Sequence, residues 1–253
     1  MSAAPCLEVE GLDVAAAAQQ PVLARQLSFR LRRGERLGVI GRNGVGKSTL
    51  LRQLAGLLPL AGGGATVRLG GQSLSELGPE RLAGLRTLMP AQPRDRFNLP
   101  VLALLELSQQ RSDGLTAHES LRRVDAWALR DRSVLHLSAG ERQRVGLAQA
   151  LVQGAAILLL DEPVAFQDPG HQSLVGTVLA NLPDHAVVFC AHDVNWVARF
   201  ATHVLGLGLR DEARGWIFER CAQALRADLL RSLYGCEWMA LDHADGRRAW
   251  MAL

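Results

Sequence analysis

A glycine-rich segment at residues 41–48 constrains this chain more than any other feature. It reads Gly-Arg-Asn-Gly-Val-Gly-Lys-Ser and follows the apolar run 37–40, which predicts a short strand. From Lys47 onward, leucines recur at spacings of three and four, which predicts a helix. Glycines let successive backbone N–H groups converge on a phosphate without a clash from Cβ, and a helix N-terminus adds positive potential. The segment therefore predicts a phosphate-binding loop between a strand and a helix.

The cation in this loop is unusual for the chain. The sequence has 28 Lys and Arg residues, and Lys47 is the only lysine among them. An ammonium fits inside a ring of backbone amides as a compact charge, whereas a guanidinium is broad and planar. The neighbouring Ser48 hydroxyl suits Mg²⁺. The alternative, a chance glycine-rich turn, is disfavoured by the strand and helix on either side.

Composition excludes several classes of protein. With 253 residues, 48% of them hydrophobic and 21% charged, the chain suits a globular fold of one large domain. A net charge of +3 and 5% aromatic residues do not indicate a nucleic-acid partner. No run approaches the ~20 apolar residues of a membrane span, and we expect no signal peptide. The four cysteines have no metal-type spacing and suggest reduced thiols in a cytosolic protein: Cys6, Cys190, Cys221 and Cys236.

The pattern of apolar residues predicts an α/β fold. Residues 6–40 alternate as strands with one wet face, and residues 93–136 have helical spacing without β-branched runs. In the second half, strand-like runs at 155–160 and 186–191 flank a helical pattern at 172–181. Strand, helix, strand in this order indicates a parallel sheet covered by helices.

Two acidic residues follow one of these strands. Residues 155–160 are continuously apolar, as in a buried parallel strand, and Asp161-Glu162-Pro163 come next. Open α/β sheets bind ligands at the carboxyl ends of their strands. Asp161 is therefore a candidate Mg²⁺ ligand, and Glu162 is a candidate base for a water that attacks a phosphate. The plainer interpretation is a pair of solvated carboxylates that cap the strand.

A second helix start has a conspicuous sequence. Leu137-Ser138-Ala139-Gly140-Glu141 precedes a helical pattern at 142–151, and Ser138 with Glu141 forms a capping-box pattern. By itself this is a structural cap. Its hydroxyl, its glycine backbone and the helix N-terminus also suit an anion.

The order of these segments, with His192 at another predicted strand end, resembles the ATP-binding cassette (ABC) ATPase family over roughly residues 6–208. The resemblance implies an α/β P-loop NTPase (RecA-like) core with an N-terminal antiparallel β subdomain and an inserted α-helical subdomain. It implies one ABC ATPase domain at 5–210, with core parts 5–92 and 152–210 and a helical subdomain at 93–151. A tail at 211–253, made of short strands and a helix, would pack on the core.

The resemblance also implies a set of site residues. Glu162, His192 and Gln92 would be catalytic, and Ser48, Gln92 and Asp161 would bind Mg²⁺. The nucleotide-binding residues would be Gly41, Arg42, Asn43, Gly44, Val45, Gly46, Lys47, Ser48, Thr49, Ser138, Ala139, Gly140, Glu141 and Asp168. Ser138–Glu141 would reach the ATP that a second copy of the chain holds. Ala139 stands where the family usually has Gly, and Gln167 where it usually has Leu. The adenine-stacking aromatic has no counterpart at Ala15–Ala18, which leaves base selectivity open.

The implied function is ATP hydrolysis that powers transport, with ATP and Mg²⁺ as cofactors. The partners would be a second ATPase subunit, separate transmembrane permease subunits and a periplasmic substrate-binding protein, with no nucleic acid. The protein would lie peripherally on the cytoplasmic face of the inner membrane. The tail, with Leu229–Cys236 and two short apolar segments, resembles importers of cobalamin, haem or iron-siderophore complexes. Two alternatives remain, a soluble ABC ATPase not coupled to transport and a haem-type exporter ATPase.

Overall fold

The structure, a computed structural model, describes residues 5–15, 22–93, 97–109, 114–209, 214–242 and 248–253. The strands within these ranges are β1 (Leu7–Val14), β2 (Ala24–Leu31), β3 (Arg36–Ile40), β4 (Thr66–Leu69), β5 (Gln72–Ser73), β6 (Arg86–Met89), β7 (Ile157–Asp161), β8 (Ala186–Cys190), β9 (His203–Leu207), β10 (Trp216–Arg220), β11 (Trp238–Asp242) and β12 (Arg248–Ala252). The helices are α1 (Lys47–Leu54), α2 (Pro79–Leu85), α3 (Val101–Ser108), α4 (Ala117–Arg123), α5 (Ala139–Val152), α6 (Pro169–Ala180), α7 (Val194–Phe200), α8 (Cys221–Ala224) and α9 (Ala227–Tyr234).

A central sheet positions the functional residues. Its strand order is β10-β9-β3-β8-β7-β6, and every neighbouring pair is parallel except β10 with β9. The carboxyl ends of β3, β7 and β8 therefore meet at one edge of the sheet. The glycine-rich loop leaves β3 at this edge and runs into α1.

A smaller sheet has the order β2-β1-β4-β5, and its strand pairs are antiparallel. Along β2 the apolar residues Leu27, Phe29 and Leu31 are buried, whereas Ser28 and Arg30 are exposed. This alternation gives the strand one buried face and one solvent-exposed face, as the sequence predicts. The α/β fold with an antiparallel β subdomain is confirmed.

Both faces of the central sheet are buried. In β7, Leu158 and Leu160 pack into a core that includes α5, α6 and α7. Ile157 and Leu159 point the other way, into a second core shared with α1 and the antiparallel sheet. Because successive side chains of a strand point to opposite faces, a strand that is covered on both sides becomes continuously apolar.

Several element boundaries differ from the sequence prediction. The helix predicted at 172–181 begins three residues earlier, at Pro169, because Asp168 caps it and proline suits a first helical position. Strand β7 starts at Ile157 rather than at 155 and includes Asp161 as its last residue. Trp127, predicted to continue a helix, lies in a short 3-10 turn because α4 ends at Arg123.

The chain after residue 213 adds a strand to the central sheet and also packs on the outside of the core. Strand β10 pairs with β9 at the edge of the central sheet, and α9 buries Leu229, Leu230 and Leu233. The β11–β12 hairpin is fastened to α7, since Asn195 exchanges two hydrogen bonds with the backbone of Trp250, at 2.7 and 3.0 Å. In the described part of the chain, no helix combines the length and apolar character of a membrane span.

Helices α6 and α7 pack closely because residue 176 of α6 is glycine. Gly176 lies in α6 against the ring of Phe200, so that a Cβ at this position would clash with the ring. Phe200 is itself held by Trp196, with ring centroids 5.2 Å apart. We expect Gly176→Ala to lower the free energy of unfolding by about 1–3 kcal/mol through overpacking, as measured by urea denaturation.

Gly84 is the matched control for this substitution. It also lies in a helix, α2, and a Cβ there would meet no atom within 4 Å. Gly84→Ala should therefore leave the free energy of unfolding unchanged or raise it by up to about 1 kcal/mol. Equal losses in both variants would contradict the packing argument.

Candidate functional site

The glycine-rich loop has the backbone shape of an anion cradle. Gly41, Gly44 and Gly46 all have positive φ, at 143°, 80° and 103°. A Cβ at Gly41 would run into the carbonyl oxygen of Leu207, and one at Gly46 would lie 2.8 Å from Leu23. These two positions therefore admit only glycine. The loop lines a cavity of about 420 Å³ together with the start of α1, Glu162 and His192.

Lys47 is folded into this cradle. Its side chain is buried, and Nζ donates to the carbonyl oxygens of Gly41 at 2.8 Å and Arg42 at 3.1 Å. An ammonium has three N–H donors, so one remains for a ligand oxygen. Burial lowers the pKa of Lys47, and the nearby carboxylates of Glu162 and Asp161 oppose that shift. The amine is thus partly desolvated and lies near two carboxylates.

Ser48 and Asp161 meet beneath the loop. Ser48 is the second residue of α1, and its side chain lies near Asp161 at the end of β7. Asp161 is buried, which raises the pKa of its carboxyl, and its Oδ1 has no hydrogen-bond partner. A carboxylate and a hydroxyl are hard oxygen donors of the kind that Mg²⁺ prefers.

Glu162 and His192 form a pair at the mouth of the cavity. Glu162 follows β7 and His192 follows Ala191, next to the end of β8, so the adjacent strands bring them together. His192 Nε2 lies 2.7 Å from Glu162 Oε1, and both side chains are partly exposed. Glu162 adopts φ 53°, a strained backbone for a residue other than glycine. A carboxylate held this way can take a proton from a water at the loop.

Gln92 and the segment Ser138–Glu141 do not line this cavity. Gln92 is exposed, and with Ala139 and Phe166 it lines a neighbouring cavity of about 300 Å³. The predicted capping box is confirmed, since Ser138 accepts from the backbone N–H of Glu141 and Glu141 accepts from that of Ser138. Ser138 and Ala139 remain exposed at the helix start.

Asp168 acts as a helix cap in this structure. It accepts from the backbone N–H of His171 at 3.0 Å and caps α6. Its Oδ2 lies 2.6 Å from His171 Nδ1, and these hydrogen bonds lower the pKa of Asp168 to about 2. His171 Nε2 also lies 3.4 Å from Asp125, so the imidazole bridges two carboxylates.

Gln143 is a further residue beside the site, and the sequence pattern does not predict it. This residue lies in the first turns of α5, is buried, and donates to the carbonyl oxygens of Glu162 at 2.7 Å and Ala91 at 3.2 Å. A polar residue at an interior position of a helix was the available signal, but the pattern alone does not identify its partners. Of the stretch Ala15–Ala18, only Ala15 is among the described residues, and it is buried.

A larger cavity, of about 830 Å³, lies between α7, α8 and the β11–β12 hairpin. It contains none of the predicted site residues. The loop cavity is smaller, but it holds the glycine-rich backbone, the buried amine and the Glu162–His192 pair. Its chemistry therefore makes it the candidate functional site.

The family of the chain follows from its sequence relatives as well as from this geometry. Residues 24–165 match the family model of the ABC transporter. The chain therefore belongs to the ABC transporter family, and it is an ATP-binding, ATP-hydrolysing member of that family.

Two curated relatives and one solved structure show which proteins the chain is similar to. The hemin import ATP-binding protein HmuV of Deinococcus radiodurans is 36% identical over 96% of this chain and 95% of its own length. The cobalamin import ATP-binding protein BtuD of Halobacterium salinarum is 35% identical over 79% of this chain and 52% of its own length. The fold matches a metal-chelate type ABC transporter in an inward-facing conformation, with a TM-score of 0.80, 23% identity, and 99% and 98% of the two chains covered.

The burial of Lys47 predicts that arginine cannot replace it. A guanidinium is too broad for the space between the carbonyls of Gly41 and Arg42, so Lys47→Arg overpacks the cradle. We expect ATP affinity, measured by displacement of a fluorescent ATP analogue, to fall by about tenfold or more. Arg68→Lys, the reverse swap at an exposed residue of β4, should leave it unchanged. Near-normal affinity and turnover in Lys47→Arg would mean that the loop does not select the ammonium.

Proposed function

We propose that this chain is the ATPase subunit of a bacterial importer of a metal chelate, such as haem, cobalamin or an iron-siderophore complex. We infer the class of transported substrate from the 36% identity to a hemin import ATP-binding protein across nearly the full length of both chains. The chemistry rests on the cavity that joins the glycine-rich loop to the Glu162–His192 pair.

The loop binds the phosphates of ATP, and Glu162 activates the attacking water. Backbone N–H groups of residues 41–49 and the N-terminus of α1 face the phosphates, and Lys47 neutralises their charge. Glu162 takes the proton of the water, while His192 holds the Glu162 carboxylate and contacts the outer phosphate. Most of the barrier is lowered by charges that are already in position.

Mg²⁺ fits beside the phosphates. The buried Oδ1 of Asp161 lacks a hydrogen-bond partner, and the Ser48 hydroxyl lies next to it, so these two groups can hold the ion directly or through water. Gln92 would add its amide oxygen from the neighbouring cavity. The ion supplies positive charge to the phosphoryl group during transfer.

The functional unit is a homodimer. Ser138, Ala139 and Gly140 lie at an exposed helix start and outside the loop cavity of their own chain. An exposed hydroxyl and helix N-terminus suit a phosphate brought by another molecule. We infer that these residues and Glu141 close on the ATP held by the partner subunit, and that Asp168 communicates between the two subunits. Closure on ATP and opening after hydrolysis give the mechanical stroke.

The stroke acts on separate transmembrane permease subunits, with a periplasmic substrate-binding protein on the other side of the membrane. The ATPase subunit is peripheral and lies on the cytoplasmic face of the inner membrane. The relatives support this assembly, since they are import ATP-binding proteins.

The role of Glu162 predicts the behaviour of its amide variant. Glu162→Gln keeps the size of the side chain and removes the base, so ATP binds but hydrolysis slows by about 10²–10⁴-fold. Because ATP then persists, the variant should accumulate as a dimer. The measurements are steady-state phosphate release and size-exclusion chromatography with ATP. Glu80→Gln, at an exposed position in α2, is the control and should behave as wild type. Wild-type turnover in Glu162→Gln would overturn the assignment of the base.

Co-purification tests the transport assignment. Affinity capture of the tagged full chain from membranes should retain a partner with many membrane spans, and addition of ATP and substrate should recruit a periplasmic binding protein. Recovery without a membrane partner would favour an ATPase that is not coupled to transport. A membrane partner without any capture protein would favour an exporter.

A further inference from the structure

The loop after β7 is held in a strained conformation. Glu162 and Phe166 both have positive φ, at 53° and 61°, although neither is glycine. Such residues cost of order 1–3 kcal/mol each and persist only where their surroundings fix them. The proposed base is thus one of the strained residues, and something must hold its backbone.

The N-terminal turns of α5 supply that support. The carbonyl oxygen of Glu162 accepts from Gln143 Nε2 at 2.7 Å. The carbonyl oxygen of Phe166 lies so close to Gly140 that an added Cβ would stand 2.7 Å from it. Each strained residue therefore presents its carbonyl to one residue of the same helical turn. These are two independent contacts between α5 and the loop.

Gln143 also reaches a second segment of the core. Its Nε2 donates to the carbonyl oxygen of Ala91 at 3.2 Å, next to Gln92. The side chain is 1% exposed, so water cannot replace either bond easily. Both N–H donors of one amide are thus committed, one to the residue beside Gln92 and one to Glu162.

We propose that Gln143 is a positioning residue that couples the orientation of α5 to the geometry of Glu162. The proposal rests on the proposed role of Glu162 as the base. Ser138, which caps α5, is the residue inferred to meet the partner's ATP, so a tilt of α5 on closure would act on the Glu162 backbone through Gln143. The base is then set by the same helix that engages the partner's nucleotide.

The test removes the two donors without changing the shape of the side chain. Gln143→Met should lower kcat of the full chain at saturating ATP by about 10-fold to 100-fold, because a small displacement of a reacting group has effects of that size. ATP affinity should change little, since Gln143 donates to neither the glycine-rich loop nor α1. The melting temperature should fall, because two buried carbonyl oxygens lose their donor. A purely structural role would also lower the melting temperature, but it would leave kcat per folded molecule unchanged.

Gln149→Met is the matched control. Gln149 lies in the same helix and donates a side-chain bond to Ser108 Oγ of α3 at 3.0 Å, not to the loop after β7. Its substitution should leave kcat within about twofold of wild type. If Gln143→Met fails to fold, Gln143→Asn tests the same point, because an amide one methylene shorter stays polar but withdraws its N–H donors from the two carbonyls.

The Glu162→Gln variant, assayed alongside, separates the two proposals. Loss of turnover in Glu162→Gln with normal kcat in Gln143→Met would overturn the role of Gln143 alone. Normal turnover in Glu162→Gln would overturn the base assignment itself. A drop in kcat for Gln143→Met but not for Gln149→Met, at unchanged ATP affinity, is the expected result.

Discussion

Everything at the site depends on the parallel pairing of β3, β8 and β7. Val39 and Asp161 both pair with Cys190 of β8, so the three strands end at the same level. Because helices and a second sheet cover both faces of this sheet, the strand edge is where polar groups meet a ligand. The glycine-rich loop, Asp161 with Glu162, and His192 emerge from these three strand ends.

This arrangement puts opposite charges in a poorly solvated place. Burial lowers the pKa of Lys47 and raises that of Asp161, so each group would alone resist its charged form. The carboxylates near Lys47 and the Ser48 hydroxyl near Asp161 counter those shifts. An ion or phosphate placed between these groups gains from charges that water screens little.

The sequence predicted the parts of the site that follow local rules. The loop at 41–48, the strand end at Asp161 and the capping box at Ser138 are short patterns with a physical reason for each residue type. The pairing of Glu162 with His192 could be expected only as two strand ends in one sheet, since no local rule gives strand order. The separation of Gln92 from the loop cavity was not predictable, because it depends on how α5 packs against the loop after β7.

Gln143 shows most clearly why part of the site escapes sequence reasoning. In the pattern of α5 it is one polar residue two positions after Glu141, and a solvated helix face explains it equally well. Its structural role depends on two carbonyl oxygens that accept its hydrogen bonds. They belong to residues 52 positions before it and 19 positions after it. The strained φ of Glu162 supplies the reason for a buried amide at that point, since a free carbonyl there would leave the loop unsupported. The start of α5 therefore has two roles. It carries a capping box, which the sequence predicts, and its Gln143 makes tertiary hydrogen bonds that only the fold shows.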